Sequence, residues 1–252
     1  MPMVDKQEIS TKALKLRYEL GIDGMSPIDV STLAHSIQEL TLAYYPLPDE
    51  ISGACYKGES GSMLILINSS MSLGRQHFSL AHELYHAFYD RGLPKFICPS
   101  NFKSRDENER KADMFASYFL MPDLAVENAV SKFCKSGNKI DMECVIRLEQ
   151  YFGASHSSML IRLKDLHFLT EDQAAEMQSN VKVTAARIGF DTSLYEPSKE
   201  SERIKVLGYY IDKAGMLAEN GIISNGLYEE LLLAAFREDL VFEQSEEMFE
   251  DV

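Results

Sequence analysis

His82, Glu83 and His86 form the pattern HExxH, in which the two histidines are four residues apart. On an α-helix, residues i and i+4 lie on one face, with their Cβ atoms about 5–6 Å apart. Two imidazole nitrogens can then bind one metal ion at about 2.0–2.1 Å, a distance typical of zinc. Glu83 lies about 100° round the helix from His82, where its carboxylate can accept a proton from a water molecule beside the ion. The spacing therefore predicts a metal-assisted hydrolytic site.

Apolar side chains surround the motif on more than one face of its helix, which we expect at residues 72–90. They are Phe78, Leu80, Ala81, Leu84, Ala87 and Phe88. A helix that is apolar nearly all round is buried, and polar groups buried without partners cost free energy. A bound cation supplies such a partner for the histidines and the glutamate. The alternative is a pair of hydrogen-bonded core histidines beside a partly exposed Glu83.

A catalytic zinc site needs a third protein ligand and an open position. We assign Glu109 to this role, because it precedes apolar residues three, six, seven and ten positions later in a helix expected at residues 104–120. Asp113, one turn on, is expected to accept a hydrogen bond from the remaining N–H of a ligating histidine. The alternative for both carboxylates is a solvated acidic face. Cys98 is a rival ligand, disfavoured because we expect it in a loop beside Pro99 with no partner at metal spacing.

Two stretches resemble the ImmA/IrrE family of metallo-endopeptidases, namely RQHFSLAHELYHAF at residues 75–88 and ENERKADMFASYFLMP at residues 107–122. Members of this family typically read FxLAHELGH and then ExxA(N/D)xFAxxLLMP. Tyr85 stands here in place of the usual Gly, and Phe119 in place of one Leu, and neither change removes a ligand. Lys111 occupies a position that is often a second Glu. Weaker resemblance extends over most of the chain.

The resemblance implies a zincin-like domain in which His82, His86 and Glu109 bind zinc and Glu83 is the general base. It also implies an endopeptidase that cleaves a DNA-binding regulator, often a helix-turn-helix repressor. We therefore expect a protein substrate of this kind. A further donor is often needed to stabilise the developing oxyanion. Three side chains are candidates for it: His35, Tyr56 and His77.

The elements expected around the motif define an α+β fold, with a small mixed or antiparallel sheet packed on the HExxH helix and a mostly helical C-terminal region. A hairpin is expected where residues 52–57 and 62–68 flank a Gly-Glu-Ser-Gly turn. We assign three regions: a zincin-like metallopeptidase core at residues 1–122, a helical segment packed on it at 123–170, and a C-terminal region with an acidic tail at 171–252. Residues 170–201 are the best linker candidate, and helices are expected near 202–218 and 224–237.

Composition limits the other possibilities. The 252 residues carry a net charge of −14, which disfavours direct binding of nucleic acid and suits a basic protein partner. No apolar run approaches the roughly 18 residues of a membrane span, and the N-terminus lacks the apolar core of a secretory signal. We therefore expect a cytoplasmic protein without a membrane partner. The four cysteines form no CxxC pair, so we expect reduced thiols.

Two other functions stay open. Residues 149–166 have the outline of a helix-turn-helix, which suggests a DNA-binding transcriptional regulator. Its second helix would expose His156, Ser157, Arg162 and Lys164, which is a thin basic supply for phosphate contacts. We favour instead a helical hairpin that packs on the core. The third possibility is a catalytically silent interaction module that zinc only stabilises.

Overall fold

The computed structural model describes residues 5–90, 95–99, 107–134 and 140–242. The first part of the chain holds the following elements: α1 (Lys6–Glu19), α2 (Val30–His35), β1 (Leu40–Tyr45), β2 (Ile51–Lys57), β3 (Met63–Asn68), α3 (Leu73–Tyr89), β4 (Lys95–Pro99) and α4 (Glu107–Leu120). The second part holds α5 (Asp123–Phe133), α6 (Met142–Phe152), α7 (His156–Asp165), α8 (Glu171–Glu176), α9 (Val181–Arg187), β5 (Lys205–Gly208), α10 (Tyr209–Glu219) and α11 (Asn225–Ala234). In the described residues, no helix is both long enough and apolar enough to cross a bilayer.

The strands form one mixed sheet in the order β4-β2-β3-β1-β5. Strands β1 and β3 pair in parallel, and the other neighbours pair antiparallel. The predicted hairpin is the β2–β3 pair, in which Gly53 lies opposite Ile67. On its other edge Gly53 lies opposite Cys98 of β4. The α+β fold with a small mixed sheet is confirmed.

Helix α3, which carries the HExxH motif, lies between the sheet and α4. Leu80 and Leu84 are fully buried, as are Phe115 and Phe119 of α4, whose rings stack with centroids 5.5 Å apart. The burial matches the apolar surroundings predicted for the motif, although Phe88 is 38% exposed. Two long helices packed side by side therefore hold their polar residues in a fixed relation.

Buried Arg17 anchors the end of α4 to α1. Its guanidinium donates to the carbonyl of Phe119 at 2.6 Å, to the carbonyl of Asp23 at 2.8 Å, and to the carbonyl of Ser26. The last carbonyls of a helix have no partner within it, and a cation there also opposes the negative end of the helix dipole. Arg17 thus holds in place the helix on which Glu109 and Asp113 lie.

The C-terminal region is less helical than the sequence suggested. Residues 205–208, expected within a helix from about 202 to 218, form β5 on the edge of β1, and the helix begins at Tyr209. These residues form a strand because the edge of β1 offers backbone groups with which they can pair. The helical periodicity of the local sequence does not reveal that distant partner. Gly208, at φ +84°, allows the close approach, since a Cβ there would lie 2.5 Å from the carbonyl oxygen of Leu40.

The expectation of a linker at residues 170–201 is also wrong. This segment contains α8, which packs on α7, and α9, which packs on α6. Its end then reaches the start of α3, where the N–H of Leu73 donates to the carbonyl of Glu196 at 2.9 Å. This bond satisfies one of the N–H groups that a helix start leaves unpaired. The division of the chain at residues 122 and 170 stays a prediction.

The helix-turn-helix outline corresponds to α6 and α7, joined through Gly153 in a left-handed conformation. The expectation that α7 exposes His156 and Arg162 is wrong. Arg162 is 1% exposed and binds Met121 and Asp123, while the His156 side chain, 11% exposed, contacts Glu149. The turn packs against α3, since a Cβ on Gly74 would lie 2.9 Å from the backbone of Ser155.

The expectation of four reduced thiols is corrected as well. Cys134 and Cys144 form a disulfide with Cα atoms 5.1 Å apart, whereas Cys55 and Cys98 are free and buried. The pairing arises because the end of α5 lies beside the start of α6. The separation of 10 residues between the two cysteines does not by itself predict this contact. Two expected features lie outside the described residues. They are the acidic tail from residue 243 and the start of the helix expected at residue 104, since residues 100–106 are not described.

Candidate metal centre

The two motif histidines direct their Nε2 atoms at each other, 3.2 Å apart. Their Nδ1 atoms each face a carboxylate, that of Asp113 at 2.9 Å from His82 and that of Asp90 at 3.2 Å from His86. A carboxylate accepts a hydrogen bond, so each Nδ1 carries the proton and each Nε2 of a neutral imidazole presents its lone pair. The carboxylates thus orient both rings so that each Nε2 is available to a metal ion.

Glu109 reaches the same point from α4. Its Oε1 lies 3.3 Å from Nε2 of His86, and its Oε2 lies 3.5 Å from Nε2 of His82. Cys98 of β4, also buried, has its Sγ 3.7 Å from Oε1 of Glu109. One donor atom from each of these four residues lies within 4.8 Å of all the others.

These distances fit a bound divalent ion. Four ligands at about 2.0–2.1 Å from a tetrahedral centre are separated by about 3.3 Å, and the observed separations among the imidazole and carboxylate atoms are 3.2, 3.3 and 3.5 Å. Two lone pairs and a carboxylate that face one another repel unless a proton or a cation lies among them. The donor set of imidazole, carboxylate and thiol is one that zinc prefers.

The charges of the cluster favour a cation. Burial works to lower the pKa of His82, but hydrogen bonds with Asp113 and Glu109 outweigh it and raise this pKa to about 9. Burial likewise works to raise the pKa of Glu109, but the two histidines outweigh it and lower that pKa. The cluster therefore attracts positive charge, which a metal ion can supply in place of protons.

Glu83 is fully buried beside the cluster. Among the described residues, neither of its oxygens accepts a hydrogen bond of normal geometry, although the Cys98 thiol is close enough to favour its charged form. Burial raises the pKa of Glu83 against the opposing effect of His82 and His86. Gly53 makes room for it, since a Cβ there would lie 2.8 Å from Oε1. A carboxylate with raised pKa in this place suits a general base.

A cleft of about 920 Å³ opens onto His82 and Asp113. Its walls come from α3, α4 and α7, with apolar side chains from Phe78, Met114 and Ile161. Ligand-binding pockets are concave and mostly apolar, with a small number of polar groups. The cleft therefore provides a route to the His82 side of the cluster.

The structure brings together the five residues selected from the sequence, which are His82, Glu83, His86, Glu109 and Asp113. Their roles stay predictions. Sequence reasoning missed Asp90, although its position four residues after His86 on the same helix was a usable signal. It also misjudged Cys98, which lies in a strand and not in a loop, and whose place depends on the pairing of β4 with β2.

The three oxyanion candidates have other surroundings. His77 has its Nδ1 2.8 Å from the carbonyl oxygen of Gly153, and Tyr56 is 48% exposed on the opposite face of β2 from Cys55, since side chains alternate along a strand. His35 ends α2, where burial first and Lys205 second lower its pKa. None of these contacts joins the cluster, so the role stays unassigned.

Fold and site together define a zincin-like protein, in which an HExxH helix packs on a mixed sheet and a carboxylate comes from the next long helix. The model of the Peptidase M78 family, described as the IrrE N-terminal-like domain, matches residues 32–164. This match spans more than half of the chain, so the chain belongs to this family, which points to a metallopeptidase. The resemblance noted from the motifs is confirmed.

A solved structure of a Mycobacterium tuberculosis transcriptional regulator is similar at 15% identity and a TM-score of 0.41, over 63% of this chain and 46% of that one. The chain thus spans less than half the length of the structure it matches. No curated protein matches the chain.

Proposed function

We propose that the protein is a zinc-dependent endopeptidase. The observation that supports it most directly is the group of donor atoms within 4.8 Å of one another. Beside it lie a buried carboxylate that accepts no hydrogen bond of normal geometry among the described residues and a cleft that leads to it. Membership of the Peptidase M78 family points to the same class of enzyme.

His82, His86 and Glu109 would hold the ion, and Asp113 and Asp90 orient the two imidazoles through Nδ1. When bound, zinc supplies Lewis acidity, which polarises a peptide carbonyl and makes water a better nucleophile. Glu83 takes a proton at its carboxylate as water attacks the carbonyl carbon, and then delivers that proton to the leaving amine. Its burial favours this exchange, because desolvation raises its pKa and a more basic carboxylate accepts a proton more readily.

The proposed substrate is a DNA-binding regulator, in particular a helix-turn-helix repressor. This part of the proposal rests on the motif resemblance to the ImmA/IrrE family and on charge. The chain carries a net charge of −14, and proteins that bind DNA present basic surfaces to the phosphates. Opposite charges steer two such proteins together and raise the rate of encounter.

The test replaces Glu83 with Gln in the full chain, which keeps the size of the side chain but removes the base. We expect zinc content to stay at the wild-type level and cleavage of a repressor encoded beside the gene to fall by about 10²–10⁴-fold. Glu107→Gln is the matched control, since Glu107 is an exposed carboxylate of α4 paired with Lys111. Cleavage that persists in Glu83→Gln would refute this base.

The same preparations separate the other functions. A regulator that uses residues 149–166 would give a salt-dependent gel shift that survives His82→Ala, whereas the buried Arg162 leaves little basic surface for it. A silent zinc-stabilised module would bind a partner without producing any fragment even when saturated with zinc.

A further inference from the structure

Cys98 lies where a fourth metal ligand would lie. It is fully buried on β4, and its backbone position is set by pairing with Gly53 of β2. Its sulfur belongs to the same group as the nitrogens of His82 and His86 and the carboxylate of Glu109, all within 4.8 Å. Gly53 packs against Glu83, so the strand pairing that places the sulfur also borders the proposed base.

The separation between sulfur and carboxylate has the length that shared coordination requires. Zinc binds thiolate at about 2.3 Å and carboxylate at about 2.0–2.2 Å, and a tetrahedral angle between two such bonds separates the atoms by about 3.6 Å. The distance from Sγ of Cys98 to Oε1 of Glu109 is 3.7 Å. The alternative is a neutral thiol that only donates a hydrogen bond to Glu109. That contact would not require the thiol to lie near the two histidines, yet both histidines belong to the same group as the sulfur.

A second observation points to a bound ion at this place. Glu83 is fully buried, and among the described residues its oxygens accept no hydrogen bond of normal geometry, although the Cys98 thiol lies close enough to favour its charged form. A buried carboxylate with so little compensation is costly, and a nearby divalent charge reduces that cost. The same cation would therefore stabilise both the group of ligand atoms and Glu83, and the sulfur of Cys98 lies beside both.

We propose that Cys98 is a fourth protein ligand of the zinc ion, which makes the resting site a closed centre of two histidines, one glutamate and one cysteine. The proposal rests on the zinc site of the proposed function. Catalytic zinc sites keep one position open, whereas sites with four protein ligands are closed. Cleavage therefore requires that the sulfur leave the ion, so Cys98 competes with water and substrate for one position.

The experiment loads the full chain with cobalt in place of zinc and records its absorption spectrum. Cobalt bound to thiolate gives an intense near-ultraviolet charge-transfer band, in addition to the visible bands of tetrahedral cobalt. We expect both in the wild type and in Cys55→Ser, the matched control, which removes a free buried cysteine of β2 outside the ligand group. Cys98→Ser and Cys98→Ala should lose the near-ultraviolet band and keep the visible bands.

Two further readouts complete the test. Zinc affinity should fall at least about tenfold in the Cys98 variants, since even groups behind the ligands are worth about 10–100-fold. Repressor cleavage at saturating zinc should exceed the wild-type rate, because the sulfur no longer competes with water and substrate for the ion. X-ray absorption of the zinc-loaded wild type needs no variant and should show one sulfur at about 2.3 Å.

The outcomes distinguish the two proposals. A wild-type ion with only nitrogen and oxygen ligands, and no charge-transfer band, overturns the role of Cys98 and leaves the three-ligand site intact. A wild type that binds neither cobalt nor zinc overturns the proposed function itself. A charge-transfer band that persists in Cys98→Ser assigns the sulfur to another cysteine and also overturns the proposal.

Discussion

At the scale of single residues, both motif histidines have a carboxylate behind them. Asp113 contacts Nδ1 of His82 from α4, and Asp90 contacts Nδ1 of His86 from the C-terminal end of α3. These contacts fix which nitrogen faces the cluster, because a carboxylate accepts only from a protonated Nδ1. Metal affinity should therefore depend on residues that do not touch the ion.

Asp113→Ala should weaken zinc binding about 10–100-fold while the fold is retained. Asp113→Asn should lose less, because its amide oxygen still accepts the hydrogen bond from Nδ1 although the charge is gone. Competition with a chromophoric chelator measures both, and Asp172→Ala on exposed α8 serves as the control. Equal affinity in wild type and Asp113→Ala would show that His82 is oriented by other contacts.

At the scale of elements, α3 carries the metal motif and also a close contact with the turn before α7. Gly74 in its first turn faces the backbone of Ala154 and Ser155 so closely that a Cβ would lie 2.9–3.1 Å from it. The contact explains why the helical pair α6–α7 lies against the core and how α7 comes to form a wall of the cleft. The N-terminus of α3 is in turn bound by Glu196 and Ser198.

Gly74→Ala should destabilise the protein by about 1–3 kcal/mol, because the clash is with backbone and forces two packed elements apart. Gly226→Ala is the matched control, since Gly226 lies in α11 with nothing within 4 Å of its added Cβ, and it should stabilise by up to about 1 kcal/mol. Denaturant unfolding of metal-saturated protein measures both changes. A Gly74→Ala variant as stable as Gly226→Ala would contradict the close contact.

At the scale of the whole molecule, a buried polar network joins the C-terminal region to the part of the chain that the family model matches. The ring of His156 contacts Glu149 at Nδ1 (2.5 Å) and the carbonyl of Met177 at Nε2 (2.8 Å). Tyr195 donates to the other oxygen of Glu149 at 2.9 Å. Both ring nitrogens face acceptors, and only the doubly protonated imidazole can donate to both.

The charged state of His156 links stability to pH. Burial opposes it, but the hydrogen bond and charge of Glu149 prevail and raise the pKa of His156 above its ordinary 6.5. A raised pKa in the folded state adds stability that is complete below about pH 6.5 and is lost as pH rises through the folded value. The free energy of unfolding of the wild type, relative to that of His156→Gln, should therefore fall as the pH rises above about 6.5.

Comparison of the two proteins at each pH cancels the titration of the metal ligands, which both share. Urea unfolding at constant ionic strength supplies the two free energies. A difference between the proteins that is independent of pH would mean that His156 is neutral in the folded chain.

Local patterns determined much of this protein without coordinates. The spacing of His82 and His86 predicted a metal-binding motif on one face of a helix, since helix geometry relates residues a few positions apart. The apolar residues around them predicted that this helix is buried. Apolar periodicity also predicted that Glu109 lies at the edge of the face of α4 that packs against the core, with Asp113 on the same side. The sequence also predicted the hairpin that borders the site.

Strand pairing and packing between distant segments were decided only by the tertiary structure. Cys98 lies beside His82, His86 and Glu109 because β4 pairs with β2 in one particular register. Strand β5 joins the sheet at β1, which is far from it in sequence. Arg162 looks like a surface cation in a helix pattern, yet it is buried against Met121 and Asp123. Such contacts depend on which segments meet in space, and neither residue type nor local period records that.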